Sequence, residues 1–170
     1  MENQNRDSRL KRFIRSTSIL IALSALTLTM LRSDEGVQYP ESFRRWVHVG
    51  TGVILPSNNP QMKSEEGMHH VFANAKAADA YATGEFPDGS VIVYELREAQ
   101  QKNGMIFEGD RLRVDVMIKD ANLYKSTGGW RFERFMGDQR TENAIKDAGN
   151  SCFQCHSKAE KHGFVFSQLR

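Results

Sequence analysis

The sequence predicts an α+β fold that is rich in β structure, with an antiparallel sheet, short helices between the strands and one helix near the C-terminus. Three observations support this prediction: short segments with strand-like alternation, turn-forming residues between them, and a composition of 39% hydrophobic and 26% charged residues. Such a composition is that of an ordinary globular protein. With 170 residues, the chain has room for one domain.

The alternation of apolar and polar residues predicts five strands. In the fourth of them, Leu112, Val114 and Val116 share one face. Arg113 and Asp115 fall on the opposite face, because successive side chains of a strand point to opposite sides. The predicted strands are 45–54, 68–73, 90–98, 111–119 and 130–135.

Two helices are predicted from their composition and ends. The first is the alanine-rich segment 75–83, which Asn74 can cap and Gly84 can close. The second covers 151–161, and Ser151 or Asn150 can cap its start. Segment 56–67 is rich in proline, asparagine and glycine, and it is predicted to be a loop.

The N-terminal segment has the order of an export signal. Residues 16–31 are uncharged and largely apolar, and this run of sixteen is shorter than the ~20 residues that comfortably span a bilayer. We therefore predict a signal peptide or an N-terminal membrane anchor at 1–32, a linker at 33–38 and a folded domain at 39–170. The alternative for 16–31 is a buried core helix, but a row of cations precedes it: Arg6, Arg9, Lys11, Arg12 and Arg15.

Export predicts a periplasmic domain, secreted or tethered to the inner membrane by residues 16–31. The charge of this domain argues against nucleic acid as a partner. The whole chain has a formal charge of +2, but from Ser33 onward 17 Lys and Arg face 19 Asp and Glu, a net charge of −2. No basic stripe is evident.

The clearest chemical motif is C-x-x-C-H at residues 152–156, the attachment signature of haem c. On a helix, residues three and four apart share one face, so the thiols of Cys152 and Cys155 can bond to the haem while His156 reaches the iron. We therefore predict one covalently attached haem c per chain. A disulfide or a zinc pair is the alternative for the two cysteines, which are the only ones in the chain.

The position of the motif suggests which kind of cytochrome this is. In small electron carriers the motif comes early and a later methionine is the sixth ligand, whereas here the last methionine, Met136, precedes the motif. This order argues against a methionine-ligated carrier. A late motif is typical of cytochromes c', but those are four-helix bundles and this chain has strands upstream.

Several segments of the chain resemble the cytochrome P-460 family and its relatives, the cytochromes c'-beta. The likeness covers residues 39–170 and rests on YPESFRRWV at 39–47, TGEFPDGSV at 83–91, Gly129-Trp130, the haem motif and Val165-Phe166. The resemblance implies a β-rich homodimer with a five-coordinate haem c, a proximal ligand at His156 and a distal pocket facing the sheet. Members of the family oxidise hydroxylamine, and the c'-beta relatives bind gases such as nitric oxide.

The resemblance also implies three distal positions. The lysine that cross-links to the haem in cytochromes P-460 matches Tyr94, the pocket carboxylate matches Asp115, and the distal arginine falls near His69 and His70. The alternatives are a packed aromatic at Tyr94 and a solvated carboxylate at Asp115. The two histidines are adjacent on a strand, so at most one can face the haem.

Three functions follow as expectations. The first is a haem protein that binds or oxidises small nitrogen species at an open iron site and exchanges electrons with a partner protein; the missing lysine argues against hydroxylamine oxidation. The second is a gas-binding or sensing protein without turnover, and the third is a plain electron carrier. A carrier is six-coordinate and does not react with added ligands.

Overall fold

The computed structural model describes residues 38–56, 58–60 and 62–169. The predicted signal or anchor at 1–32 and the linker up to residue 37 lie outside the described residues. Within the described ranges, no helix has the length and apolar character that crossing a membrane requires.

The architecture is a single antiparallel sheet of five strands with a few short helices, as the sequence predicts. The strands follow one another in chain order, and each pairs with the next through an antiparallel ladder. They are β1 (Val47–Ile54), β2 (Gly67–Ala73), β3 (Val91–Lys102), β4 (Met105–Lys119) and β5 (Trp130–Met136).

The hairpin between β3 and β4 is longer than predicted. Both strands continue to a two-residue turn at Asn103 and Gly104, whose φ angles are 52° and 76°. Asn-Gly favours such a turn because both residues tolerate positive φ, and the backbone twist of the turn matches that of the strands. Residues 98–102 pair only with β4, so the end of the hairpin extends beyond the rest of the sheet.

The first helix, α1, spans Ala75–Ala80 and is shorter than predicted. Asn74 caps it as expected, because its Oδ1 accepts a hydrogen bond of 2.9 Å from the amide of Ala77. The chain leaves the helix through a turn that ends at Gly84, with φ of 72°.

The second helix, α2, spans Asn150–His156 and continues as a 3-10 helix over Ser157–His162. The predicted caps at Asn150 and Ser151 are wrong, since both residues lie inside the helix and the capping position belongs to Gly149. Asp147 takes the capping role instead. Its carboxylate accepts the amide hydrogens of Gly149 and Ser151 at 3.1 and 2.8 Å.

The two faces of the sheet pack against different parts of the chain. One face packs with α1 and the C-terminal segment around Trp130, whose indole donates to the carbonyl oxygen of Gly163 at 2.8 Å. The other face is covered by Tyr39 and Phe43 from the segment before β1; Tyr39 packs against Phe135, and Phe43 packs against Phe72. The first face holds the cavity described next.

Candidate haem-binding cavity

A cavity of about 580 Å³ lies between the first face of the sheet and the C-terminal segment. The sheet lines it with apolar residues from four strands, and the C-terminal segment lines it with the motif residues. This arrangement places together all six site residues selected from the sequence: His69, Tyr94, Asp115, Cys152, Cys155 and His156.

His156 is fixed by its own C-terminal segment. Its Nδ1 lies 2.7 Å from the carbonyl oxygen of Phe164, and its ring packs between Phe132 and Phe166 at 5.0 and 5.1 Å. Because a carbonyl oxygen only accepts, Nδ1 is the protonated nitrogen and Nε2 keeps its lone pair. Burial lowers the pKa of His156 and favours this neutral form. A metal-binding histidine typically has this arrangement.

The two motif cysteines lie on α2 and are free thiols. Cys152 is half-buried against the apolar cluster, whereas Cys155 is exposed at the cavity border. Burial raises the pKa of the Cys152 thiol. Within residues 38–169, apart from the two gaps, no group of three or more His, Cys, Asp or Glu is arranged to hold a metal ion.

The residues around the cavity fit a haem. The volume is within the range of cofactor pockets, and the sheet offers an apolar wall for a flat macrocycle. The opposite wall supplies two thiols and an imidazole with a free nitrogen, which is the donor set that haem c requires. The wall residues of the sheet are Val71, Ile92, Met117 and Phe132.

Tyr94 lines the cavity and is held on three sides. Its hydroxyl donates to Glu65 Oε2 at 3.1 Å, its ring stacks on His69 at 5.1 Å, and the guanidinium of Arg113 lies 5.6 Å above the ring centre. Burial raises the pKa of Tyr94, so the hydroxyl stays protonated at neutral pH. Tyr94 is therefore a hydrogen-bond donor whose direction is set by Glu65.

The adjacent histidines point to opposite faces of β2. His69 lines the cavity, and its buried Nδ1 has no hydrogen-bond partner. His70 lies on the other face, with its Nδ1 at 2.8 Å from the hydroxyl of Thr51 and its Nε2 near Glu108 but poorly aligned for a hydrogen bond. Burial lowers the pKa of both rings. Of these two adjacent histidines, only His69 lines the cavity and is available to a molecule in it.

Asp115 lies in the cavity, paired with two arginines. Arg113 donates from Nε at 2.9 Å, and Arg134 donates from Nε and Nη2 to the two carboxylate oxygens at 2.5 and 2.8 Å. The alternative interpretation, a solvated carboxylate without protein partners, does not describe Asp115. The paired carboxylate cannot move without breaking a two-point contact.

Four charged residues of the cavity were not predicted from the sequence: Glu65, Arg113, Glu133 and Arg134. Arg113 had a signal, since it shares a strand face with Asp115 two residues away. Glu65 had none, because it lies in a one-turn 3-10 helix within the predicted loop.

Two methionines also line the cavity. Met62 reaches it from the loop before β2, and Met117 from β4. Folding therefore brings thioethers to the same cavity as His156, although every methionine precedes the motif in the sequence. The order of residues along the chain does not exclude a methionine ligand.

The fold and the cavity together define a class: a β-rich protein with a C-terminal haem motif that faces a sheet. The family model described as Cytochrome P460 matches residues 40–167. The chain therefore belongs to the cytochrome P460 family, whose cofactor is a haem. A comparison with curated proteins finds no match.

Proposed function

We propose that this protein is an exported, periplasmic cytochrome with one covalently attached haem c, and that it binds small nitrogen compounds such as hydroxylamine and nitric oxide. Cys152 and Cys155 are the attachment sites and His156 is the iron ligand. The observation that supports this most directly is the hydrogen bond from His156 Nδ1 to the carbonyl oxygen of Phe164, which leaves Nε2 free in the cavity that both cysteines line.

When bound, the haem supplies a redox-active iron with room for a small ligand. The residues of the chain then determine which group accepts the protons that the reaction releases. Oxidation of hydroxylamine releases protons, so the cavity needs an acceptor. His69 fits this role, because it is neutral and its buried Nδ1 is unpartnered. Asp115 is less suited, since both of its oxygens already accept from arginines.

Tyr94 stands where the cross-linking lysine of cytochromes P-460 is expected, so the proposed haem has only its two thioether links. We therefore propose ligand binding as the main function and expect weak or no turnover of hydroxylamine. A redox partner protein and a second copy of the chain are the proposed partners.

A second candidate is an electron carrier, which the two methionines at the cavity favour. A thioether on the iron would fill the ligand site. The absorption spectrum of the reduced protein, with and without carbon monoxide, separates the candidates: an open site shifts the spectrum, and a carrier shows no change.

Covalent attachment is tested by mass and extraction. The wild-type protein should keep its haem through denaturation and acid-acetone extraction, and the double variant Cys152→Ala, Cys155→Ala should lose it. Ser151→Ala, on the same helix, serves as the control and should keep the haem. His156→Ala should retain the thioether links but change the ferric and ferrous spectra strongly. Extraction of haem from the wild type would contradict the proposal.

A further inference from the structure

Two positively charged and two negatively charged side chains line the cavity together. Two are guanidinium groups and two are carboxylates, so their charges cancel. A fifth charged residue that lines the cavity, Glu133, is buried and pairs with Arg131. We call the four side chains the cavity cluster: Glu65, Arg113, Asp115 and Arg134.

Each guanidinium of the cavity cluster is already committed to an acceptor. Arg113 donates from Nε to Asp115, from Nη1 to the carbonyl oxygen of Ser64 at 2.5 Å and from Nη2 to Glu65 at 2.6 Å. Arg134 makes a two-point contact with Asp115, and this hydrogen bonding raises the pKa of Arg134. An anion that entered the cavity would have to compete with a carboxylate for either cation.

The rest of the sheet wall offers an anion little compensation. It is apolar at Val71, Ile92, Met117 and Phe132, and the hydroxyl of Tyr94 already donates to Glu65. An anion would lose its hydration without gaining a free counter-charge from the side chains, which is costly. An uncharged molecule has much less hydration to lose.

We propose that the cavity cluster makes the site selective for uncharged small ligands and against anions. The inference rests on the proposed ligand-binding function and names its substrate class: neutral molecules, such as nitric oxide or unprotonated hydroxylamine, rather than nitrite or azide. The carboxylates determine this specificity, because they cancel the two cations that would otherwise attract an anion.

The test removes one negative charge while keeping its shape. In Asp115→Asn, two guanidinium groups face the cavity with only Glu65 to balance them, so anions should bind better. We expect the ratio of azide affinity to nitric oxide affinity of the ferric protein, measured by absorption titration, to rise about tenfold or more, as a nearby uncompensated charge predicts. Nitrite should follow azide.

The chain offers a matched control for each carboxylate. Asp138→Asn makes the same charge change at a carboxylate that also pairs with an arginine, Arg111 at 2.6 Å, but lies outside the cavity. Glu65→Gln is the second test variant, and Glu108→Gln is its control. Both glutamates pair with arginines, and their side chains are 32% and 37% exposed. The controls should leave the affinity ratio unchanged.

The outcomes separate this inference from the function on which it rests. A ratio that rises in either cavity variant and not in its control supports selectivity by the cavity cluster. If the wild type binds nitric oxide but neither cavity variant gains azide affinity beyond its control, the inference alone is overturned. If the haem spectrum of the wild type does not respond to nitric oxide, the proposed function and the inference are both overturned.

Discussion

His69 shows how a small residue on one strand positions a functional side chain on the next. A Cβ atom placed on Gly52 of β1 would lie 2.6 Å from Cε1 of His69, which is closer than any van der Waals contact. The other side of the imidazole stacks on Tyr94. The ring therefore lies in a slot that exists only because residue 52 has no side chain.

Gly52→Ala should displace the His69 ring and disturb the cavity. We expect a loss of about 1–3 kcal/mol of unfolding free energy, as is typical of overpacking, together with a changed rate of carbon monoxide release. Thermal unfolding and laser-flash kinetics measure the two effects. Gly50→Ala, on the same strand, is the control because a Cβ there has no atom within 4 Å. Equal effects of the two substitutions would contradict the slot.

Tyr94 should remain an unmodified phenol. Its hydroxyl is protonated and engaged with Glu65, and a phenol joins a haem edge only through an oxidative step. After proteolysis, mass spectrometry should therefore recover the haem peptide and the Tyr94 peptide separately. Tyr94→Phe should keep the haem and cost about 1 kcal/mol of unfolding free energy, because it loses the hydrogen bond to Glu65. Recovery of one joined peptide would contradict this prediction.

At the scale of elements, the sequence pattern predicted those features that are determined by residues close together in the chain. The period of two in β4 and the cap at Asn74 are local signals, and both appear in the structure. The Asn103-Gly104 turn is also a local signal, but the polar end of β3 before it, residues 98–102, hid the longer hairpin. Glu65 joins the cavity only through Tyr94 and Arg113, which are distant in sequence, so no local pattern could place it.

The second face of the sheet has a charged cluster that ties three elements together. Glu95 of β3 is fully buried and accepts from Arg44 before β1, from Arg97 beside it and from Arg111 of β4. Burial alone would raise the pKa of Glu95, but the hydrogen bonds from Arg44 and Arg111 outweigh it and lower the pKa. The carboxylate is thus charged in the folded protein.

Glu95→Gln should cost about 1–3 kcal/mol of unfolding free energy at neutral pH, because three arginines lose the charged acceptor that they share. The pKa of Glu95 is lower in the folded than in the unfolded state, so its stabilisation is complete above about 4.5 and is lost as the pH falls through the folded value. Urea unfolding of both proteins along a pH series should show their difference shrinking below that pH. The exposed Glu98→Gln is the control, and a difference that stays constant would contradict the argument.

At the scale of the whole molecule, the fold places the haem motif and the ligand side of the cavity on separate parts of the chain. The motif belongs to the C-terminal segment, while His69, Tyr94 and Asp115 belong to successive strands. The antiparallel sheet sets these three side chains on one face by strand register alone: Tyr94 pairs with Asp115 directly. A change in the ligand residues can therefore alter the function without altering haem attachment.

The end of the β3–β4 hairpin has an exposed apolar surface. Met105, Ile106 and Phe107 are large apolar residues, and all three are exposed at a two-stranded arm that pairs with no other strand among the described residues. Adjacent exposed apolar side chains of this size are typical of an interface. We expect the proposed homodimer to bury them.

Phe107→Glu should weaken that homodimer, because it would place a charge in an apolar contact. Size-exclusion chromatography with light scattering should give a dimeric mass for the wild type at micromolar concentration and a monomeric mass for the variant. Leu123→Glu, at another exposed leucine outside the arm, is the control and should remain dimeric. A monomeric wild type would contradict the homodimer, and a dimeric Phe107→Glu variant would place the interface elsewhere on the molecule.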